Sequence, residues 1–237
     1  MKSLEKMNLA DMLFLLALDQ KQGEIKPGLE RRLDCILAGA LLMELALQNR
    51  IDTDVTCLRS GPSEESRDPL LLRVVNKQPT GDALLDHVLK ELQYKSDPRP
   101  TCDWLDYFSR EGKSGEKVVR QILMDQLAGK GALKVEEKTA WLFFKTRRYF
   151  AADVSEIDSV KKRLRELVLD EEIPDPREIV LVALADACGL FGEMLSPEDL
   201  ERARPRINTL RKLDLIGQAM AHIIRDVEHN IASNVPD

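Results

Sequence analysis

Residues 29–47 read LERRLDCILAGALLMELAL, and this stretch decides the fold. Nine residues without a polar side chain, Cys35 to Met43, lie between Asp34 and Glu44. The spacing predicts a helix over 29–48 that is apolar on most sides, and such a helix must be surrounded by others. Ala38, Gly39 and Ala40 are small enough to let a neighbouring backbone approach closely. Asn49, Arg50 and Ile51 end the run.

Outward from this centre, helical periodicity dominates. Leu9, Met12, Leu13, Leu16 and Ala17 give residues 4–18 one buried face. Residues 54–58 and 70–75 read as two strands of a hairpin, joined by a polar loop with Gly61, Pro62 and Pro69. Pro79 to Asp82 is turn chemistry, with Thr80 or Asp82 as N-cap of a helix whose apolar face is Leu84, Leu85, Val88, Leu89 and Leu92. Pro98 and Pro100 interrupt the chain before a short helix from Thr101 that carries Trp104, Leu105 and Phe108. A helix over 116–128 buries Val119, Ile122, Leu123 and Leu127 and stops at Gly129-Lys130-Gly131. A ribbon follows, with strands at 132–135 and 140–144 and a turn at Glu136-Glu137-Lys138, so 116–145 reads as a winged-helix-like unit. Helices are expected again over 155–169, 175–191, 197–213 and 214–232. The expected class is mainly α: a single compact multi-helix domain over 1–237, core about 9–230, with a central buried helix and small β-hairpins.

The chain has 237 residues, 43% of them hydrophobic and 32% charged, which is a globular composition. Its formal charge of -6 argues against a surface built wholly for nucleic acid. Aromatics at 5% leave little for base-stacking platforms. The apolar run at 12–18 is too short to cross a bilayer and no other run reaches 18 residues, so no membrane span or export signal is expected. Cys35, Cys57, Cys102 and Cys188 are far apart, and reduced thiols in a cytoplasmic protein are the expected state.

Catalytic patterns are weak. Glu111-Gly112-Lys113-Ser114 echoes a phosphate loop, but Tyr107 holds the place of the first glycine and no strand precedes it. His222, Asp226 and His229 share helical spacing, yet a solvated polar face looks the same, and no metal or cofactor is expected. Asp52 and Asp54 read as turn residues. With no nucleophile elbow and no Ser/His/Asp arrangement, no enzyme is expected. The clusters that stand out are basic. Lys117 and Arg120 are three apart on one helix face and can meet one anionic group, arginine bidentately. Trp141, Leu142, Phe143 and Phe144 run into Lys145, Arg147 and Arg148, a sequence suited to the boundary between acyl chains and anionic headgroups; inward packing of the strand with merely solvated cations produces the same pattern.

Three segments together, residues 34–51, Pro79 to Asp86, and Val119 to Leu133 with its Lys130-Gly131-Ala132-Leu133 end, resemble the Golgi phosphoprotein 3 family over roughly residues 9–230. The form LAGALLMELAL is closer to prokaryotic members than to the Golgi proteins. The resemblance implies a mostly helical domain with a central buried helix and protruding hairpins. It implies a non-catalytic peripheral membrane adaptor that binds phosphatidylinositol 4-phosphate-like headgroups and recognises short protein tails. The family's headgroup pocket uses a tryptophan, an arginine on the central helix and a basic-x-x-arginine pair. The pair is present as Lys117 and Arg120. The tryptophan falls at Leu29 and the central arginine at Ala38, so both are missing, with Arg32 as a stand-in cation. Weaker binding and a relaxed choice among anionic headgroups follow. The hairpin with Trp141, Leu142, Phe143, Phe144, Arg147 and Arg148 matches the element credited with membrane contact and self-association.

Three readings result. One is a cytoplasmic protein, peripheral on the cytosolic face of a membrane, that binds anionic phospholipid through Lys117, Arg120 and Arg32. The second is a soluble oligomeric scaffold without lipid. A DNA-binding winged helix is disfavoured, since Gln121, Met124, Asp125 and Gln126 offer few outward cations.

Overall fold

The computed structural model describes residues 7–54, 71–95, 99–110, 118–140, 144–170, 172–212, 226–227, 229 and 231–232. In chain order the elements are α1 (Leu9–Ala17), β1 (Leu18–Asp19), β2 (Glu24–Ile25), α2 (Glu30–Leu47), β3 (Ile51–Asp54) and β4 (Leu71–Val74). Then come α3 (Ala83–Tyr94), β5 (Arg99–Pro100), α4 (Thr101–Ser109), α5 (Val118–Gly129), β6 (Leu133–Ala140) and β7 (Phe144–Ala151). The described chain closes with α6 (Val154–Leu169), α7 (Pro176–Cys188), α8 (Leu190–Met194) and α9 (Pro197–Lys212). The mainly α expectation holds, and the sheets are small.

Helix α2 is the axis of the fold. Leu33, Ile36, Leu37, Ala38, Ala40, Leu41, Leu42, Met43 and Leu45 are all fully buried. Helices α1, α4 and α7 pack around α2, with α3 and α5 completing the shell and α6 and α9 lying outside it. An all-round apolar helix needs such a jacket, because each exposed Leu or Ile would forgo about 1.5–3 kcal/mol of burial. Gly39 permits a close approach: a Cβ there would stand 2.5 Å from Val227 Cγ2, so Val227 sits directly on the axis. Gly39→Ala is therefore expected to lower stability by about 1–2 kcal/mol in urea titrations, even though alanine favours helix by about 1 kcal/mol. Val227→Ala in the same background should recover part of the loss. A Gly39→Ala protein more stable than the parent would overturn this packing.

The strands depart from expectation in instructive ways. The first hairpin pairs Ile51 with Val74 and Asp54 with Leu71, so it begins three residues earlier than the apolar run suggested, and β5 adds a third strand. Residues 55–70 lie outside the described residues. In the second ribbon, β6 runs unbroken to Ala140, which pairs with Phe144. Glu136-Glu137-Lys138 is therefore strand, not turn. The reason is electrostatic: Glu136 faces Arg148 and Glu137 faces Arg147 across the ladder, and opposite charges directly across strands stabilise pairing. Of the apolar strand expected at 140–144, Ala140 closes β6 and Phe144 opens β7, and residues 141–143 lie outside the described residues. The helix expected over 175–191 is two: Gly189 caps α7 in the left-handed conformation at φ 84 and redirects the chain into α8. The short β1–β2 hairpin had no counterpart in the sequence reading.

Candidate functional site

Helices α2 and α5 hold the basic residues singled out in the sequence. Arg120, in the first turn of α5, reaches across to α2. Its Nε donates to Asp34 Oδ1 at 2.8 Å, its Nη2 lies 2.6 Å from the same oxygen as an ion pair, and Nη2 donates to the Glu30 carbonyl at 3.2 Å. The side chains are 18% and 8% exposed, so Arg120 is an engaged, part-buried cation and not an open one. Arg32 does not join it. Two residues from Asp34, it points about 200° away around the helix, and its Nη1 lies 3.5 Å from where a Cβ on Gly189 would stand. It belongs to the α7–α8 corner, so a cationic pair of Arg32 and Arg120 is not formed. Lys117 lies outside the described residues.

The β6–β7 ribbon is the other expected element. Arg147 is 57% exposed and 3.5 Å from Glu137, while Arg148 is 34% exposed and 3.9 Å from Glu24 of β2. Such exposed pairs contribute little and leave both guanidinium groups in contact with solvent. Trp141, Leu142 and Phe143 lie outside the described residues, and of Phe144 only the backbone pairing is described. The ribbon is braced from one side by the β1–β2 hairpin: the Tyr149 amide donates to the Gly23 carbonyl at 2.7 Å, and the Ala151 amide donates to Gln20 Oε1 at 2.9 Å. A Cβ on Gly23 would lie 2.6 Å from the Phe150 ring, and Gly23 has φ 70, so both space and backbone require glycine there.

The root of the ribbon is fixed by a polar node that sequence reasoning did not find. Lys130, at the α5–β6 junction, donates from Nζ to Asp11 Oδ2 at 2.8 Å and to Asp82 Oδ2 at 3.2 Å. Asp11 belongs to the capping box of α1, where the Asn8 amide donates to its Oδ2. Asp82 caps α3 through the Leu84 and Leu85 amides, and its other oxygen accepts from Gln126 and Asn8. One lysine thus ties two helix N-termini to the base of the ribbon. Burial pushes the Asp11 carboxyl above its ordinary value, with Lys130 and the Asn8 amide pulling it partly back. At Lys130 burial pulls downward, but the two carboxylates outweigh it and the net shift is upward. The signal available in the sequence was Asp82 as an N-cap; nothing local pairs it with residue 130.

Other expected features resolve as follows. Tyr107, in the glycine position of the phosphate-loop pattern, is helical and its hydroxyl donates to Glu91 at 2.7 Å. Residues 111–114 and His222 lie outside the described residues. Among the described residues, no group of three His, Cys, Asp or Glu is placed to hold a metal. Cys35 and Cys188 are buried free thiols, pushed up by burial to about 12 and about 11. A cavity of about 230 Å³ lies between α1, α6 and α7, floored by Met12, Val160, Leu164 and Leu181. Its rim arginines are already committed, Arg163 to Glu178 and Glu172 and Arg177 to Glu44 and the Met7 carbonyl.

These features define a mainly helical domain that carries a two-stranded ribbon rich in Lys and Arg, tied at its root to two helix N-termini by Lys130. No described helix is long and apolar enough to cross a membrane. The chain belongs to the Golgi phosphoprotein 3 (GPP34) family, whose profile matches residues 9–227. It is 29% identical over 252 aligned positions to vacuolar protein sorting-associated protein 74 of Eremothecium gossypii, covering 97% of this chain and 74% of that protein. It is also 29% identical over 233 positions to the protein of the same name in Schizosaccharomyces pombe, covering 86% of this chain and 66% of the relative.

Proposed function

We propose that the protein is a non-catalytic peripheral adaptor that docks on anionic phospholipid surfaces with its β6–β7 ribbon toward the membrane. The carrying observation is a charge asymmetry. Residues 133–151 hold five Lys or Arg and two Glu, a net +3, so the remainder carries -9 of the total -6. An arm of that sign on an acidic body turns toward a negative surface and keeps the body away from it. Trp141, Leu142 and Phe143, which follow β6 in the sequence, supply apolar side chains of the kind that enter an interface. Arg120, with Lys117 three residues before it, is the headgroup contact in this reading. The relatives' name ties them to vacuolar protein sorting, which suits an adaptor that holds protein tails at the cytosolic face of a membrane.

Co-sedimentation with vesicles tests the proposal. Recovery should be strong on phosphatidylcholine vesicles containing anionic phospholipid, weak on phosphatidylcholine alone, and should fall steeply between about 0.1 and 1 M salt, as the screening length drops from about 10 to 3 Å. Equal recovery on both vesicles would overturn it. A scaffold that uses the ribbon only to join copies of itself gives that second result, together with a multimeric mass by light scattering.

A further inference from the structure

None of the residues that line the cavity of about 230 Å³ between α1, α6 and α7 belongs to the ribbon or to the Lys130 node. Met12 comes from α1, Leu164 and Leu167 from α6 and Leu181 from α7, and all four side chains are buried. An apolar space of about 150 Å³ lined by such residues is enough to hold a benzene ring and stays dry without one. Here apolar space also continues along the α1–α6 seam. A second, much smaller void is lined there by Met7, Leu15, Leu16 and Ile157, and Met12 and Val160 wall both. The partition thus includes a methionine, whose unbranched side chain with three rotatable bonds adapts to what lies beside it.

The mouth has a different character. Arg163 forks onto Glu178 through Nε and Nη2, at 2.7 and 3.1 Å, and its Nη1 donates to Glu172. Arg177 donates through Nε and Nη2 to Glu44 Oε2, at 3.3 and 3.0 Å, and through Nη2 to the Met7 carbonyl. Asp175 completes the rim. Two guanidinium groups therefore stand among four carboxylates, those of Glu44, Glu172, Asp175 and Glu178, and the mouth holds no free cation for an acid. One donor is left over: Arg177 Nη1 has no acceptor among the described residues.

We propose that this cavity binds a single straight alkyl chain with an uncharged, oxygen-bearing head, such as an alcohol or a glycerol ester. The chain runs from the mouth toward Met12 and Val160 and extends along the seam as Met12 moves aside, and the head oxygen accepts from Arg177 Nη1. A cyclic body with the same number of carbons is too broad to follow the chain past that partition. A carboxylate head of the same length brings a charge to a rim with an excess of carboxylates and has to lose water to do so. The site is independent of the docking reading, which uses the ribbon.

The test uses the full chain with its methionine methyl groups labelled with carbon-13, the Met12 signal being assigned by its absence in Met12→Leu. 1-Butanol, 1-hexanol and 1-octanol should each move that signal saturably, with the dissociation constant falling about fourfold per added methylene, the gain from taking one CH₂ out of water. Octanoate should bind about tenfold more weakly than 1-octanol, because its charge is poorly tolerated at the rim. Cyclooctanol should also bind about tenfold more weakly, because a broad body overpacks the partition. Val160→Phe, which fills the space beside Met12, should weaken 1-octanol about tenfold. A Met12 signal that ignores all three alcohols overturns the proposal, as does octanoate or cyclooctanol binding as tightly as 1-octanol. If Val160→Phe does not fold, the comparison of 1-octanol, octanoate and cyclooctanol on the parent protein decides alone.

Discussion

Lys130→Met should cost about 3 kcal/mol at neutral pH, toward the lower end for breaking a buried ion pair because the lysine is one-third exposed. The substitution keeps a long apolar stem but strands Asp11, which is fully buried and whose Oδ1 already has no partner. It also removes a cation from Asp82, so the caps of α1 and α3 and the root of the ribbon loosen together. The sign with pH is specific. Burial holds the Asp11 carboxyl above its ordinary 3.8, and loss of the lysine raises it further. A carboxyl whose folded value is raised binds its proton more tightly in the folded state, so its penalty grows as pH rises from 3.8 up to that value and is complete above it. As pH falls from there toward 3.8 the carboxyl becomes neutral and part of the lost stability returns. Urea titrations across this range should show the deficit shrinking in acid. A deficit under about 0.5 kcal/mol, or one independent of pH, would remove the node from the list of elements that fix the ribbon.

Why this node was invisible in the sequence, while α2 was plain, is a matter of range. Helix α2 announces itself through nine consecutive residues that no other environment accepts. Asp82 was readable as a cap because capping is satisfied within three residues. The bonds of Lys130, by contrast, span 119 and 48 positions, and that between Arg120 and Asp34 spans 86. No local pattern carries them. The misplaced turn in the second ribbon has a related cause. Turn assignment from polarity assumes that charged triplets seek solvent, but Glu136 and Glu137 find arginines directly across the ladder. Gly189 was hidden the other way: periodicity continues through it, from Ala185 to Phe191, and only a left-handed φ reveals that the helix stops.

The candidate site was legible by residue type more than by geometry. Arg120 was identified, but its accessibility was not, since the anion that engages it sits on another helix. Arg32 was proposed from sequence distance along α2, where two residues' separation from Asp34 places it on the wrong side of the helix. Of the ribbon cations, Arg147 is exposed and Arg148 half-buried, and the glutamates that face them across the ladder were not foreseen.

Those cations carry the second large expected effect. Arg147→Glu with Arg148→Glu changes the ribbon from +3 to -1. Each cation near an anionic membrane surface contributes about 1 kcal/mol, so losing two should weaken binding to anionic vesicles about thirtyfold, and the two added anions should weaken it further. The changes set Glu opposite Glu136 and Glu137, so the ladder loses two favourable pairs and gains two like-charge ones, worth roughly 0.2–1 kcal/mol each. Its root stays held by Lys130 and its flank by the backbone bond of Tyr149 to Gly23 and the bond of the Ala151 amide to Gln20, so a lowered but still cooperative melting transition is expected. The reciprocal change, Glu136→Lys with Glu137→Lys, raises the ribbon to +7 and should strengthen binding at low salt while converging on the parent at about 1 M, where the screening length is about 3 Å. The pair of variants separates field from contact. If the ribbon merely joined protein copies through apolar residues, both charge changes would disturb association alike, and vesicle recovery would not follow their sign. Binding that rises with added lysines and falls with added glutamates, in proteins that both remain folded, requires the ribbon itself to face the membrane.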